Sequence, residues 1–240
     1  MKFINSIFSK VRGSVFAITF CMLWVACDDS ASADGEKSNA NSSSLNAGKC
    51  EYGTLVDDVD GQTYKTVKIG DQEWMAENLR RKTNDYCYDD DAENCTKYGR
   101  LYTWFIARSV CPNGWHLPSK KEFETLLVAV GGTENSAKKL KSSSGWDENG
   151  NGQDAFCFSA LPAGKVYLNE TYGGQVDPNK RFLEIGTSAT FWSSTEDGPH
   201  DYVFDRLSNA MSFDLYSGLD FVSFGSNSKL HGRSVRCVKD

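Results

Sequence analysis

The sequence predicts an α+β domain with short antiparallel strands, two or three helices, long loops and disulfides. Three observations predict it. Short alternating runs on either side of Gly70-Asp71 read as a β-hairpin. A capped amphipathic segment follows Pro118. Cys50, Cys87, Cys95, Cys111, Cys157 and Cys237 all follow an export-type leader, and an even set of thiols in an oxidising compartment reads as a disulfide framework.

The leader comes first. Lys2, Lys10 and Arg12 precede an apolar run, Ser14 to Ala26, that is too short to span a bilayer. Leu23-Trp-Val-Ala26 before Cys27 resembles a bacterial lipobox, in which Cys27 takes the lipid and becomes the mature N-terminus. Trp24 stands where such boxes carry leucine, and a secreted protein with Cys27 as an ordinary thiol is the alternative. Residues 1–26 therefore read as a lipoprotein signal peptide. Residues 27–49, rich in Ser, Asn and Ala, read as a flexible tether with a reach of roughly 25 Å. Residues 50–240 form the domain. Asp28-Asp29 after the lipobox resembles an acidic surface-export signal, so the expected location is the cell envelope, as a surface-exposed outer-membrane lipoprotein. Periplasmic or secreted placement is the alternative.

Removing the leader takes three of the 26 Lys and Arg and none of the 32 Asp and Glu, which moves the net charge from −6 to about −9. That acidity argues against nucleic acid and against electrostatic attraction to anionic lipid. The membrane is then a partner only through the N-terminal lipid.

Val56 to Ile69 and Gln72 to Met75 supply the hairpin strands. Leu101, Trp104, Phe105 and Arg108 share a helical face and predict a helix ending before Pro112. Ser119 with Glu122 forms a capping box, Phe123, Leu126, Leu127 and Val130 an apolar stripe, and Gly131-Gly132 a stop. Glu134 to Lys141 predicts a short helix. Beyond it, Gly-, Asn- and Asp-rich loops are broken by aromatic runs at Phe156–Leu161, Phe191-Trp192, Tyr202–Phe204 and Met211–Leu215. Ser234–Val238 alternates and predicts a strand beside the first hairpin. Six thiols can pair in many ways. Cys87–Cys95 would close a short acidic loop, Cys111–Cys237 would tie the capped helix to the last strand, and Cys50–Cys157 is the remaining pair.

Six ordered blocks carry a resemblance. They are Thr66–Leu79, Tyr98–Trp104, Cys111–Pro118, Phe158–Gly164, Phe191–Glu196 and Ser234–Asp240. Together they resemble the Fibrobacter succinogenes major paralogous domain, from about Tyr52 to Asp240. Cys157 stands where such domains are expected to carry glycine. The resemblance implies an exported, often lipid-anchored bacterial protein without an assigned reaction. The Leu117-Pro-Ser helix start and the terminal Arg236-Cys-Val strand are also similar to the sulfatase-modifying, C-type-lectin-like fold, which implies terminal strands that pair and long loops on one face.

No catalytic residues are expected, so the chain reads as a non-enzyme. The cysteines lack the close redox spacing, and His116, His200 and His231 are scattered. His116 reads as a packed or capping residue. No Gly-x-Ser-x-Gly or P-loop pattern occurs. No cofactor is implied except calcium, for which Asp147, Asn149, Asn151 and Asp154 resemble the first half of an oxygen-ligand loop; a plain Gly/Asn turn gives the same letters. Asp89 to Asp91 with Glu93 reads as a solvated acidic tip, and Asp177-Pro-Asn179 faintly resembles a lectin sugar motif. Trp146 and Tyr172, flanked by glycine and polar residues, are expected as exposed rings that stack on sugar. The expected role is non-catalytic binding or adhesion, to polysaccharide or an envelope component. The alternatives are a structural or protein-interaction surface domain, or a divergent enzyme.

Overall fold

Period-two burial organises the N-terminal half of the domain. The computed structural model describes residues 50–168, 180–198 and 208–240. Strands β1 (Gly53–Val56), β2 (Thr63–Ile69) and β3 (Gln72–Met75) form an antiparallel meander. Ile69 pairs with Gln72, leaving Gly70-Asp71 as a two-residue turn in which Gly70 takes φ 61°.

Four short α-helices follow among the described residues, interrupted by β4 (Trp115–His116). They are α1 (Ala92–Tyr98), α2 (Trp104–Ala107), α3 (Lys120–Ala129) and α4 (Ser136–Leu140). The capping box of α3 is formed. Glu122 N–H donates to Ser119 Oγ at 3.3 Å, and Ser119 N–H donates to Glu122 Oε2 at 2.7 Å. The helix expected over 101–108 contracts to α2, because Leu101 and Tyr102 are drawn into bridges with Tyr86 and Arg233.

A second sheet occupies the C-terminal half: β5 (Ala163–Tyr167), β6 (Arg181–Ile185), β7 (Ser188–Asp197), β8 (Asn209–Tyr216) and β9 (Ser223–Ser228). Its order is β6-β5-β7-β8-β9, with only the β5–β7 pair parallel. Strand β10 (Val238–Lys239) joins the first sheet between β3 and β4, giving β1-β2-β3-β10-β4.

This architecture corrects the α+β expectation and, with it, the C-type-lectin-like and sulfatase-modifying-factor-like description. The chain is mostly β, two curled sheets with a few short helices between them. The aromatic runs that break the loops at Phe191-Trp192 and Met211–Leu215 are the middles of β7 and β8. Both faces of these strands are covered, so serine and threonine are buried beside the rings and no polar–apolar alternation marks them. Tyr202–Phe204 lies outside the described residues.

The main core joins both sheets through aromatic rings. Trp74 of β3, Phe123 of α3, Phe158, Phe191 of β7 and Phe213 of β8 are all buried, and Phe123 stacks on Phe213 at 4.4 Å. Each such side chain contributes about 1.5–3 kcal/mol of transfer free energy. Val130, Leu126 and Leu127 complete the α3 stripe against this core. A second cluster around Tyr64, Tyr102, Trp104, Trp192 and Val235 lies beneath the N-terminal meander.

Disulfides join Cys50 to Cys157, Cys87 to Cys95 and Cys111 to Cys237. Cys157 takes φ 59°, in the left-handed region that glycine favours. That conformation accounts for glycine being expected there, and its cross-link to Cys50 accounts for a side chain being present instead.

Candidate functional site

A cleft of about 170 Å³ opens where five chain segments meet. Lys65 of β2 and the turn Ala76–Arg80 after β3 form one side. Thr96, Lys97 and Tyr98 at the end of α1, with Gly99, form another. Ser159, Leu161 and Tyr52 complete the lining. Two disulfides hold these walls: Cys50–Cys157 ties the Tyr52 segment to the Ser159 segment, and Cys87–Cys95 anchors α1.

Asn78 lines the cleft, and the fully buried Arg236 is bonded behind it. Asn78, 3% exposed, donates from Nδ2 to the Tyr98 carbonyl at 2.7 Å and accepts from Arg236 Nε at 2.9 Å. The Arg236 guanidinium also donates to the carbonyls of Phe158, of Ser159 at 2.8 Å and of Met75 at 3.5 Å. One buried cation therefore braces two of the five lining segments directly and reaches a third through Asn78. Burial pulls its pKa down to about 9, against the opposing charges of Asp154, Glu77 and Tyr52. Gly99 is required by close packing: it takes φ 81°, and a Cβ there would sit 2.5 Å from that of Asn78.

The lining mixes ring faces, ammonium groups and hydrogen-bonding groups. Tyr52 is 38% exposed with Lys65 Nζ 5.0 Å from its ring centre, and Lys97 Nζ lies 4.6 Å from that of Tyr98. Glu77 accepts from the Lys65 backbone at 2.6 Å and pairs with Arg80 at 3.3 Å. Such a surface can stack on a sugar ring, donate to hydroxyls and neutralise an anion.

None of these lining residues was singled out as a site from sequence. A signal was present, since four of the six resemblance blocks meet here. Ala76–Asn78, Tyr98-Gly99, Ser159–Leu161 and Arg236 each come from a different block.

The residues that were singled out lie elsewhere. The expectation that Trp146 is an exposed ring is corrected: it is 5% exposed, packs in the main core, and donates from Nε1 to the Ala160 carbonyl at 3.0 Å. The polar and glycine neighbours that suggested exposure belong to the turn that folds over it. Tyr172 lies outside the described residues, as do His200, Asp177-Pro-Asn179, Cys27 and its acidic neighbours.

In the Asp147–Asp154 segment, Asn151 and Asp154 accept hydrogen bonds from within the chain. Asn151 Oδ1 accepts from Trp146 N–H at 3.0 Å, and Asp154 accepts from Ser159 N–H at 2.6 Å and from its hydroxyl. Asp147 lies against Gly186 and Asn149 is exposed, with φ 59°. These are turn-closing bonds, and no group of three or more His, Cys, Asp or Glu placed to hold a metal occurs among the described residues.

His116 sits between two carboxylates, Glu122 at 2.7 Å from Nε2 and Asp240 at 2.6 Å from Nδ1. Burial lowers its pKa, but the hydrogen bonds and charges of Asp240 and Glu122 outweigh burial and the net direction is up. Because Glu122 also caps α3, His116 braces that helix start against the C-terminus.

A second polar cluster lies on the far face of the second sheet from the aromatic core. Arg233, 1% exposed, lies over the Trp192 ring at 4.7 Å. Its Nε and Nη1 lack a hydrogen-bond partner among the described residues, as do Asp214 Oδ1 and Thr190 Oγ1, whose residues face each other across β7 and β8. Burial raises the Asp214 pKa, against Arg233's charge and the Ser212 hydroxyl. Burial, with the charges of Arg233 and Lys165, lowers that of His231 to about 4.

No helix among the described residues is long and apolar enough to cross a membrane. No curated protein and no solved structure matches the chain. The family model of the Fibrobacter succinogenes major domain matches residues 67–239, a span that contains most of the cleft, Arg233 and Arg236. The chain therefore belongs to the Fibrobacter succinogenes major domain family.

Proposed function

We propose that the chain is an exported, lipid-anchored envelope protein that binds polysaccharide without catalysing a reaction on it, and that the cleft is where it binds. The observation that carries this reading is the braced cleft itself: an exposed Tyr52 ring beside hydrogen-bonding groups, on walls held by two disulfides and by the buried Arg236 behind Asn78. Rigid walls reduce the ordering cost of binding. Aromatic faces backed by polar groups are the chemistry by which proteins hold sugar rings in water. The leader and the Cys27 lipobox support anchoring, and the tether supports presentation away from the membrane.

A glycan array probed with the full chain and with Tyr52→Ala tests the site. The expected result is binding to a polysaccharide class that falls roughly fivefold in the variant, in line with about 1 kcal/mol for a stacked ring. Silence of the unmodified chain across the array would overturn the reading in favour of a protein-interaction surface domain. Labelled palmitate should enter the unmodified chain in a bacterial host and fail to enter Cys27→Ser.

A further inference from the structure

A second hollow adjoins the cleft and shares Arg80 and Thr96 with it, so the two form one continuous track alongside α1. The track is cationic on a chain whose net charge is −6. Lys65, Arg80 and Lys97 line the first hollow, and Lys82 and Arg100 add to the second. The single carboxylate lining either hollow is Glu77.

Internal pairing accounts for the two arginines but not for the lysines. Arg80 pairs with Glu77 at 3.3 Å, and Arg100 with Asp85 at 2.5 Å. Lys65, Lys82 and Lys97 make no ion pair among the described residues. The acidic tip adjoins the second hollow at Ala92 but lines neither hollow, and two of its carboxylates are engaged: Asp91 caps the helix by accepting from Glu93 N–H at 2.9 Å, and Asp90 pairs with Lys180 at 2.7 Å.

We propose that the ligand of this track is an anionic polysaccharide, lying from the Tyr52 cleft across Arg80 to Lys82. This deepens, and rests on, the reading of the cleft as a glycan site. Two connected hollows with ammonium groups in both suit a linear polymer with repeated charges better than one isolated anion. Lysine is a compact, hydrated point charge on a flexible stem, and it accepts carboxylate or sulfate without a fixed fork geometry. A bilayer surface or nucleic acid would present more negative charge to the rest of an acidic chain, and the net repulsion disfavours both.

The test is the affinity of the full chain for four probes over a range of salt. They are polygalacturonate, its fully methyl-esterified form, dextran sulfate and duplex DNA. Polygalacturonate or dextran sulfate should bind at least tenfold tighter than the ester, and which of the two binds tighter assigns the anion as carboxylate or sulfate. The advantage should shrink as salt screens the exposed charges. The triple variant Lys65→Gln, Lys82→Gln, Lys97→Gln should lose about tenfold or more on the acidic probes at low salt. It should lose less on the ester than on the acidic probes, and it should melt at the same temperature. Tyr52→Ala should weaken acid and ester alike. Equal affinity for acid and ester overturns the anionic ligand while leaving the glycan site standing. Failure to bind any polysaccharide overturns both. DNA binding as tight as polygalacturonate overturns the proposal in favour of a general polyanion patch.

Discussion

Arg233 and Arg236 stand three residues apart in one buried segment, and their surroundings differ completely. Both are at most 1% exposed and both lie over an aromatic ring. Arg236 is spent on carbonyls and Asn78, each bond joining separate stretches of chain beneath the cleft. Arg233 faces Asp214 and Thr190 and leaves two nitrogens without a hydrogen-bond partner among the described residues. A satisfied buried cation is a strut whose removal orphans its acceptors. An incompletely satisfied one carries a desolvation penalty that its interactions only partly offset.

The largest effect should come from Arg236→Met. It orphans the carbonyls of Phe158 and Ser159 and the Asn78 amide oxygen, a cost of about 3–5 kcal/mol in urea unfolding. If the variant unfolds with the stability of the unmodified chain, Arg236 is not a strut. Next is the disulfide beside it. Replacing Cys50 and Cys157 by serine should cost about 2–4 kcal/mol under oxidising conditions. Because Ser159 lies two residues from Cys157, this loss should be less than additive with Arg236→Met and additive with Arg233→Met. A double-mutant cycle measures both couplings.

Arg233→Met should be the milder arginine change, within about 2 kcal/mol. Adding Asp214→Leu should bring the double variant near neutrality or about 1 kcal/mol above the unmodified chain, since apolar side chains of similar volume often replace buried opposite charges without loss. A cost for Arg233→Met equal to that of Arg236→Met would erase the distinction between the two.

The smallest effect is a titration. His231 has its pKa lowered to about 4 from 6.5, so the fold binds its proton less tightly than the unfolded chain does. The stability linked to it is present above about pH 6.5 and is lost as pH falls toward about 4. Burial is the first cause and remains in Arg233→Met, whereas the guanidinium charge is removed. The His231 midpoint followed by NMR should therefore rise part of the way in Arg233→Met and stay in place in Arg236→Met.

Legibility in the sequence followed the range of the interactions involved. The hairpin at Gly70-Asp71 and the capping box of Ser119 and Glu122 are short-range devices, and both stand as read. The aromatic runs of the second sheet carry no strand signature in the sequence, because its central strands are buried on both faces and hold serine and threonine among the rings. Trp146 was misplaced for a related reason: polar and glycine neighbours imply exposure only when the turn they form does not fold over the ring. The cleft went unread because its walls come from residues near 52, 65, 78, 98 and 160, each unremarkable by itself.

By itself the sequence determined the local devices, the set of cysteines able to pair and the family, because each is carried by residue types at fixed short spacing or in ordered blocks. Only the tertiary structure decided the mostly β architecture and the different surroundings of Arg233 and Arg236. The physical reason is that a buried charge is judged by its partners. Asn78 and Phe158 on one side, and Thr190 and Asp214 on the other, reach those arginines only once the chain has folded.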